Sequence, residues 1–151
     1  MGTVARGVCR RLSPRRRRVS GMLKFPGTRP THLGAHNGQL AVCPSTPNCV
    51  HSQTADPRQT IAPLAFSGAP AAAMQKLRAV VEAMPRTTVI DSQPNYLYVE
   101  CSTPFFGFVD DVEFYNDGRV IQVRSASRLG YSDFGVNRKR VEAVREAFWR
   151  A

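Results

Sequence analysis

Apolar and polar positions along the chain change period several times, and each change marks an element. From Pro70 onward Met74, Leu77, Val80, Val81 and Met84 recur at spacings of three, four and seven residues, the stripe of an amphipathic helix. Pro70 suits its first turn, and Pro85 ends it. The period then drops to two over residues 87–91, 96–101, 105–115 and 119–127, which predicts four strands. Pro94, Pro104 and the Asp117-Gly118 pair separate them as turn signals. Helical spacing returns at 137–150, where Val141, Val144 and Phe148 share a face and Asn137 stands as N-cap.

Upstream of Pro70 the pattern is irregular. Residues 26–70 hold seven of the eleven prolines, and proline fixes φ and removes a backbone donor. Leu33, Leu40, Val42, Val50, Ile61, Leu64 and Phe66 are anchors that a flexible linker would not need. The expected fold is therefore α+β, a two-layer domain. A four-stranded antiparallel meander carries two helices on one face, after an irregular Pro-rich N-terminal wrap.

Strand alternation also sorts chemistry by face. An Asp117-Gly118 type I′ turn sets Phe114 opposite Ile121, Val112 opposite Val123, and Asp111 opposite Arg124. Tyr96, Tyr98, Glu100, Asp111, Glu113, Tyr115, Arg124 and the neighbouring Arg128 are then expected to share a polar face. One interpretation is a solvated surface of weak cross-strand pairs. The other is a shallow anion pocket in which Arg124 binds and Asp111 or Glu113 serves as acid or base. The following segment, 124–140, adds Ser125, Ser127, Arg128, Tyr131, Asn137 and Arg138 as ligand-binding candidates. Gly130 and Gly135 there suit a tight loop, with Arg128 or Arg138 pairing Asp110 or Asp133.

Cys43 and Cys49 are redox candidates, as a local disulfide or with Cys49 as a nucleophile beside His51. A zinc site would need His51 and His36 as well, and the spacing fits no standard zinc knuckle, so no metal or cofactor is expected. Cys101 falls on the core side of its strand. Glycine-rich phosphate loops, nucleophile elbows and paired zinc-binding histidines are absent from the sequence.

Charge changes the picture last. The chain has 151 residues, 21 basic against 11 acidic, for a formal net charge of +10. Residues 1–30 carry nine basic residues and no acid, so the remainder is nearly neutral. Residues 1–24 are expected to form a disordered basic tail, and 25–151 one domain. The Arg15–Arg18 run reads as a transit peptide, as a nucleic-acid patch, or as an over-extended start with the natural one at Met22. Nucleic acid is not expected as a partner beyond that tail. No apolar run reaches the length of a membrane span. A cytoplasmic location is expected, or an organelle if the tail is a transit peptide.

The runs LGAHNGQLAVCPSTPNCVHSQ, FGFVDDVEF and VIQVRSASRLGYSDFGVNRKRVEAVR resemble the domain-of-unknown-function 1499 family over about residues 25–150. FPGTRPTHLG at 25–34 resembles the start of bacterial members. The resemblance implies no activity. It draws attention to Asn48, Cys49, Asp110, Asp111, Glu113, Arg124, Ser125, Ser127, Arg128, Tyr131, Asp133, Asn137 and Arg138, which stand in its motif blocks. His51 departs from the family, where serine is more usual, and so is a weak shared ligand or base. These readings converge on a small domain that binds an anionic small molecule or partner. The alternatives are an enzyme anchoring substrate on Arg124 and Arg128, or a Cys43/Cys49 redox module.

Overall fold

The computed structural model describes residues 23–151; most of the proposed basic tail, residues 1–22, lies outside them. Eight elements follow in order: β1 (Cys49–His51), β2 (Leu64–Ala65), α1 (Pro70–Glu82), β3 (Thr87–Gln93), β4 (Tyr96–Ser102), β5 (Val109–Asn116), β6 (Val120–Ser127) and α2 (Val136–Arg150). The class is α+β. The sheet is antiparallel and has six strands rather than four, in the order β1-β6-β5-β4-β3, with β2 also on β6. The two added strands come from the Pro-rich segment. Each is too short to show a period, so sequence alternation could not reveal them.

β1 and β2 divide the outer edge of β6 between them. Cys49, Val50 and His51 pair with Ala126, Ser125 and Arg124, while Leu64 and Ala65 pair with Ile121 and Val120. A row of unpaired backbone groups on β6 is thereby closed by two fragments with prolines around them.

The β5–β6 hairpin differs from the expected register by two residues. Phe114 faces Val123, Glu113 faces Arg124, and Asp111 faces Ala126. The turn centres on Gly118-Arg119, and only Gly118 of that pair has positive φ. Asp117 causes the shift: its Oδ1 accepts the N–H groups of Arg119 (2.9 Å) and Val120 (3.0 Å). It therefore caps the turn from outside instead of occupying its centre. Because side chains alternate with period two, a two-residue shift leaves every residue on its expected face and changes only its partner.

Two other boundaries move. Residues 105–108, expected to begin a strand, form a loop with Gly107 at φ 63°. α2 begins at Val136 with Gly135 as N-cap, so Asn137 lies inside the helix. Asp133 takes over the capping chemistry: its carboxylate accepts the N–H groups of Gly135 (3.0 Å) and Asn137 (2.7 Å).

Both helices pack on one face. Met74, Leu77 and Val81 of α1 and Val141, Val144 and Phe148 of α2 meet Leu97, Val99, Val112, Phe114, Ile121 and Val123 of the sheet in one core. A smaller cluster lies on the opposite face, where Leu33, Ala35 and Leu40 pack on Tyr96 and Tyr98. The face predicted to be polar is therefore covered by residues from the N-terminal segment.

Cys43 and Cys49 are joined as a disulfide, closing a short loop that leads into β1. Closing so short a loop removes chain entropy worth about 2 kcal/mol from the unfolded state. The variant Cys43→Ala/Cys49→Ala should unfold in urea with about that loss of stability. Reductant should shift the wild-type midpoint comparably and leave the variant unmoved.

Candidate functional site

β4, β5 and β6 place their polar side chains under the N-terminal segment, and three carboxylates meet three guanidiniums there. Arg128 is central. Its Nε donates to Asp111 Oδ2 at 2.9 Å and its Nη2 to Asp111 Oδ1 at 2.6 Å. The same nitrogen reaches Tyr98 Oη at 3.2 Å and pairs with Glu100. Tyr98 in turn donates to Asp111 Oδ1 at 2.5 Å. Arg29, from the N-terminal segment, closes over Glu100 at 2.6 Å.

Glu113 anchors the second half of this layer. It is fully buried and accepts three donors: the Gly34 N–H at 2.7 Å, the Tyr96 hydroxyl at 2.8 Å and Arg124 Nη1 at 3.3 Å. Burial, with Glu113 beside it, pushes the Tyr96 phenol far above its ordinary range. Burial and Asp111 do the same to Tyr98. Both phenols therefore stay protonated and act as donors. Burial alone would raise Glu100, but hydrogen bonds from Arg29 and Arg128 hold it below the usual carboxylate value. Arg128 is held above its own, chiefly by Asp111.

A cleft of about 310 Å³ opens beside this layer, lined by Thr28, His32, Cys43, Asp111, Arg124 and Arg128 among others. The Arg124 side chain is only 5% exposed. Among the described residues, its Nε is the one buried side-chain nitrogen or oxygen with no hydrogen-bond partner.

The helix-facing side of β5 and β6 carries a different network. Ser125 Oγ donates to Asn137 Oδ1 at 2.5 Å, and Asn137 Nδ2 donates to Asn48 O (3.1 Å), Ser127 Oγ (2.9 Å) and Asp133 Oδ2 (2.8 Å). Arg140 spans Asn137 Oδ1 at 2.9 Å and Asp110 Oδ2 at 2.5 Å. Asn48 also ties down the next loop through Gly130 O at 2.7 Å. This network bolts the start of α2 to the sheet and to the disulfide loop.

The ligand-binding candidates therefore separate. Arg124 and Arg128 lie with Asp111 and Glu113 under the N-terminal segment. Ser125, Ser127 and Asn137 occupy the opposite face and bond one another. Tyr131 is exposed on the loop before α2. Arg138 donates to Thr60 O at 2.8 Å. Of the redox pair, Cys43 borders the Arg124 cleft, while Cys49 is buried in β1. Cys49 and His51, two apart on a strand, face the same side. His51 accepts the Gln53 N–H through Nδ1 at 2.8 Å, and burial holds its pKa below the ordinary histidine value. No cluster of three or more His, Cys, Asp or Glu side chains placed to hold a metal ion occurs among the described residues. Arg29, Gly34 and Arg140 are the participants that sequence reasoning left out. Arg29 lies 71 residues from Glu100, and no local signal links them. The expectation that Asp110 pairs with Arg128 or Arg138 is corrected to Arg140.

Residues 39–148 match the family model described as protein of unknown function (DUF1499). The chain belongs to that family. No curated protein and no solved structure gives a significant match. No helix among the described residues is long and apolar enough to cross a membrane.

Two residues from the same candidate set should separate in a urea titration. Arg128→Ala leaves Asp111 buried without its cation and should cost about 3–5 kcal/mol. Arg138→Ala loses only exposed contacts to the Thr60 and Arg58 carbonyls and should cost no more than about 1 kcal/mol. A second test uses pH. His51 has a lower pKa folded than unfolded, so its contribution is intact above its unfolded value of about 6.5 and is lost as pH falls below that. The melting temperature should decline between about pH 6.5 and 5, above the range in which the carboxylates titrate. His51→Asn, which keeps an acceptor for the Gln53 N–H, should flatten that decline.

Proposed function

We propose that this DUF1499 domain binds a small ligand through Arg124, which presents a guanidinium edge to a carboxylate or similar acceptor in the adjoining cleft. The supporting observation is the partnerless Arg124 Nε. Buried polar groups are nearly always paired, and leaving one unpaired costs roughly 1–3 kcal/mol. A guanidinium offers two parallel donors to a carboxylate, and Glu113 engages Arg124 only through Nη1 at 3.3 Å.

The charge balance narrows the class. Arg29, Arg124 and Arg128 are matched by Glu100, Asp111 and Glu113, so the layer carries no surplus positive charge for a dianion. A monocarboxylate fits that balance better than a phosphate. Binding is also favoured over catalysis by the surroundings of Asp111 and Glu113. Each carboxylate is buried and accepts a phenol and a guanidinium, which leaves neither poised to exchange a proton with a substrate. As to compartment, the Cys43–Cys49 disulfide supports an oxidising one over a reducing cytoplasm.

Thermal unfolding with acetate, lactate and benzoate, and separately with inorganic phosphate, tests the ligand class. A monocarboxylate at about 100-fold over its Kd should add about 2.7 kcal/mol of stability and raise the melting temperature. Phosphate should not. Arg124→Gln, compared with its own unliganded midpoint, should abolish the rise. A rise that survives this substitution, or none with any carboxylate, refutes the proposal.

A further inference from the structure

The Arg124 cleft offers a ligand more than a guanidinium. Pro30, Val42, Pro44 and Ala126 line it together with the charged side chains. These four present carbon surface and no side-chain donor or acceptor. Val42 is 84% exposed, so the domain itself covers little of it. Small-molecule sites combine an apolar lining of this kind with a few orienting polar groups. At about 310 Å³ the cleft lies at the small end of such sites.

The apolar wall is tied down despite its exposure. Cys43, between Val42 and Pro44, is bonded to Cys49, and Cys49 pairs with the cleft-lining Ala126 across β1 and β6. The Pro44 carbonyl also accepts Gln59 Nε2 at 2.6 Å. Proline and valine have few rotamers to lose. A ligand that covers this wall therefore meets a surface already in position, and little ordering entropy offsets the contact.

The charged lining sets a second limit. Asp111, the one carboxylate lining the cleft among the described residues, is 1% exposed. Both of its oxygens accept Arg128, and one also accepts Tyr98. A ligand ammonium would find no unmatched acid there and would enter beside the Arg124 and Arg128 guanidiniums, where like charges repel. We infer that the cleft takes a hydrocarbon carboxylic acid that lacks an amino group, an inference that rests on the Arg124 reading above. The carboxylate meets Arg124, and an aryl or branched-alkyl body covers Val42 and Pro44. Val42 is then a specificity-determining residue. It selects the body of the ligand and takes no part in holding its charge.

Affinities of the full chain for acetate, 3-phenylpropionate and L-phenylalanine test this. They are read from the rise of melting temperature with ligand concentration at constant ionic strength. 3-Phenylpropionate should bind at least about tenfold more tightly than acetate, because its ring and methylenes leave water for the wall. L-Phenylalanine has the same body with an added ammonium and should bind at least about tenfold more weakly than 3-phenylpropionate. Val42→Ser should lower the ratio of 3-phenylpropionate to acetate affinity by about threefold or more. Its unliganded melting temperature should barely change, since the side chain it alters is exposed. Equal affinities for acetate and 3-phenylpropionate, both lost in Arg124→Gln, overturn the inference and leave the Arg124 reading standing. Equal affinities for 3-phenylpropionate and L-phenylalanine overturn it as well. So does a Val42→Ser variant that keeps the wild-type ratio, since the wall would then select nothing. No rise with any of the three ligands overturns both the inference and the reading beneath it.

Discussion

The arrangement depends on neutralising three carboxylates that the sheet places beneath a protein layer. Glu100, Asp111 and Glu113 project from adjacent strands into a space with little water. An unpaired charge there would cost several kcal/mol. Arg124 comes from within the hairpin's second strand, Arg128 from just past its end, and Arg29 from the segment that covers them. Covering the sheet and pairing its charges are thus one event. The segment cannot settle without bringing Arg29 and the Gly34 N–H, and the carboxylates cannot be buried without it.

β6 is where the two sides of the molecule meet. Its alternate residues serve different networks: Arg124 points to the carboxylate layer, while Ser125 and Ser127 point to Asn137 on α2. The motif from 124 to 140 looks from its composition like one basic binding loop. Spread over a strand, a turn and a helix, it instead ties the covering segment to one face and α2 to the other. Most of its polar groups are spent on structure. That is why Arg124 Nε, the one buried side-chain nitrogen or oxygen left without a partner among the described residues, carries so much weight for function.

Much of the fold was legible because period is local. The apolar stripe of α1 and the alternation of β4, β5 and β6 place Leu77, Val99, Phe114 and Val123 in the core without knowledge of neighbours. The register was not legible. Whether Asp117 sits in the turn or caps it is decided by hydrogen bonds its carboxylate makes only once the strands pair. The result moves Arg124 from Asp111 to Glu113. Asn137 was read as a cap for a related reason: its preference for helix ends is local, and the Asp133 carboxylate that displaces it is visible only in the folded turn.

The sequence alone determined the class of fold, the residues facing the main core and the family, since each follows from short-range pattern or motif. Tertiary structure decided the fate of the polar face. Alternation shows that Tyr96, Tyr98, Glu100, Asp111, Glu113 and Arg124 share one side of a sheet, but it is silent on whether water or protein lies above them. The answer comes from residues more than 50 positions away, Arg29, Gly34 and Leu40, whose contacts depend on chain path and not on local preference. Burial turns what would have been weak surface pairs into an obligatory charge-matched layer, because the same charges removed from water can persist only with their partners.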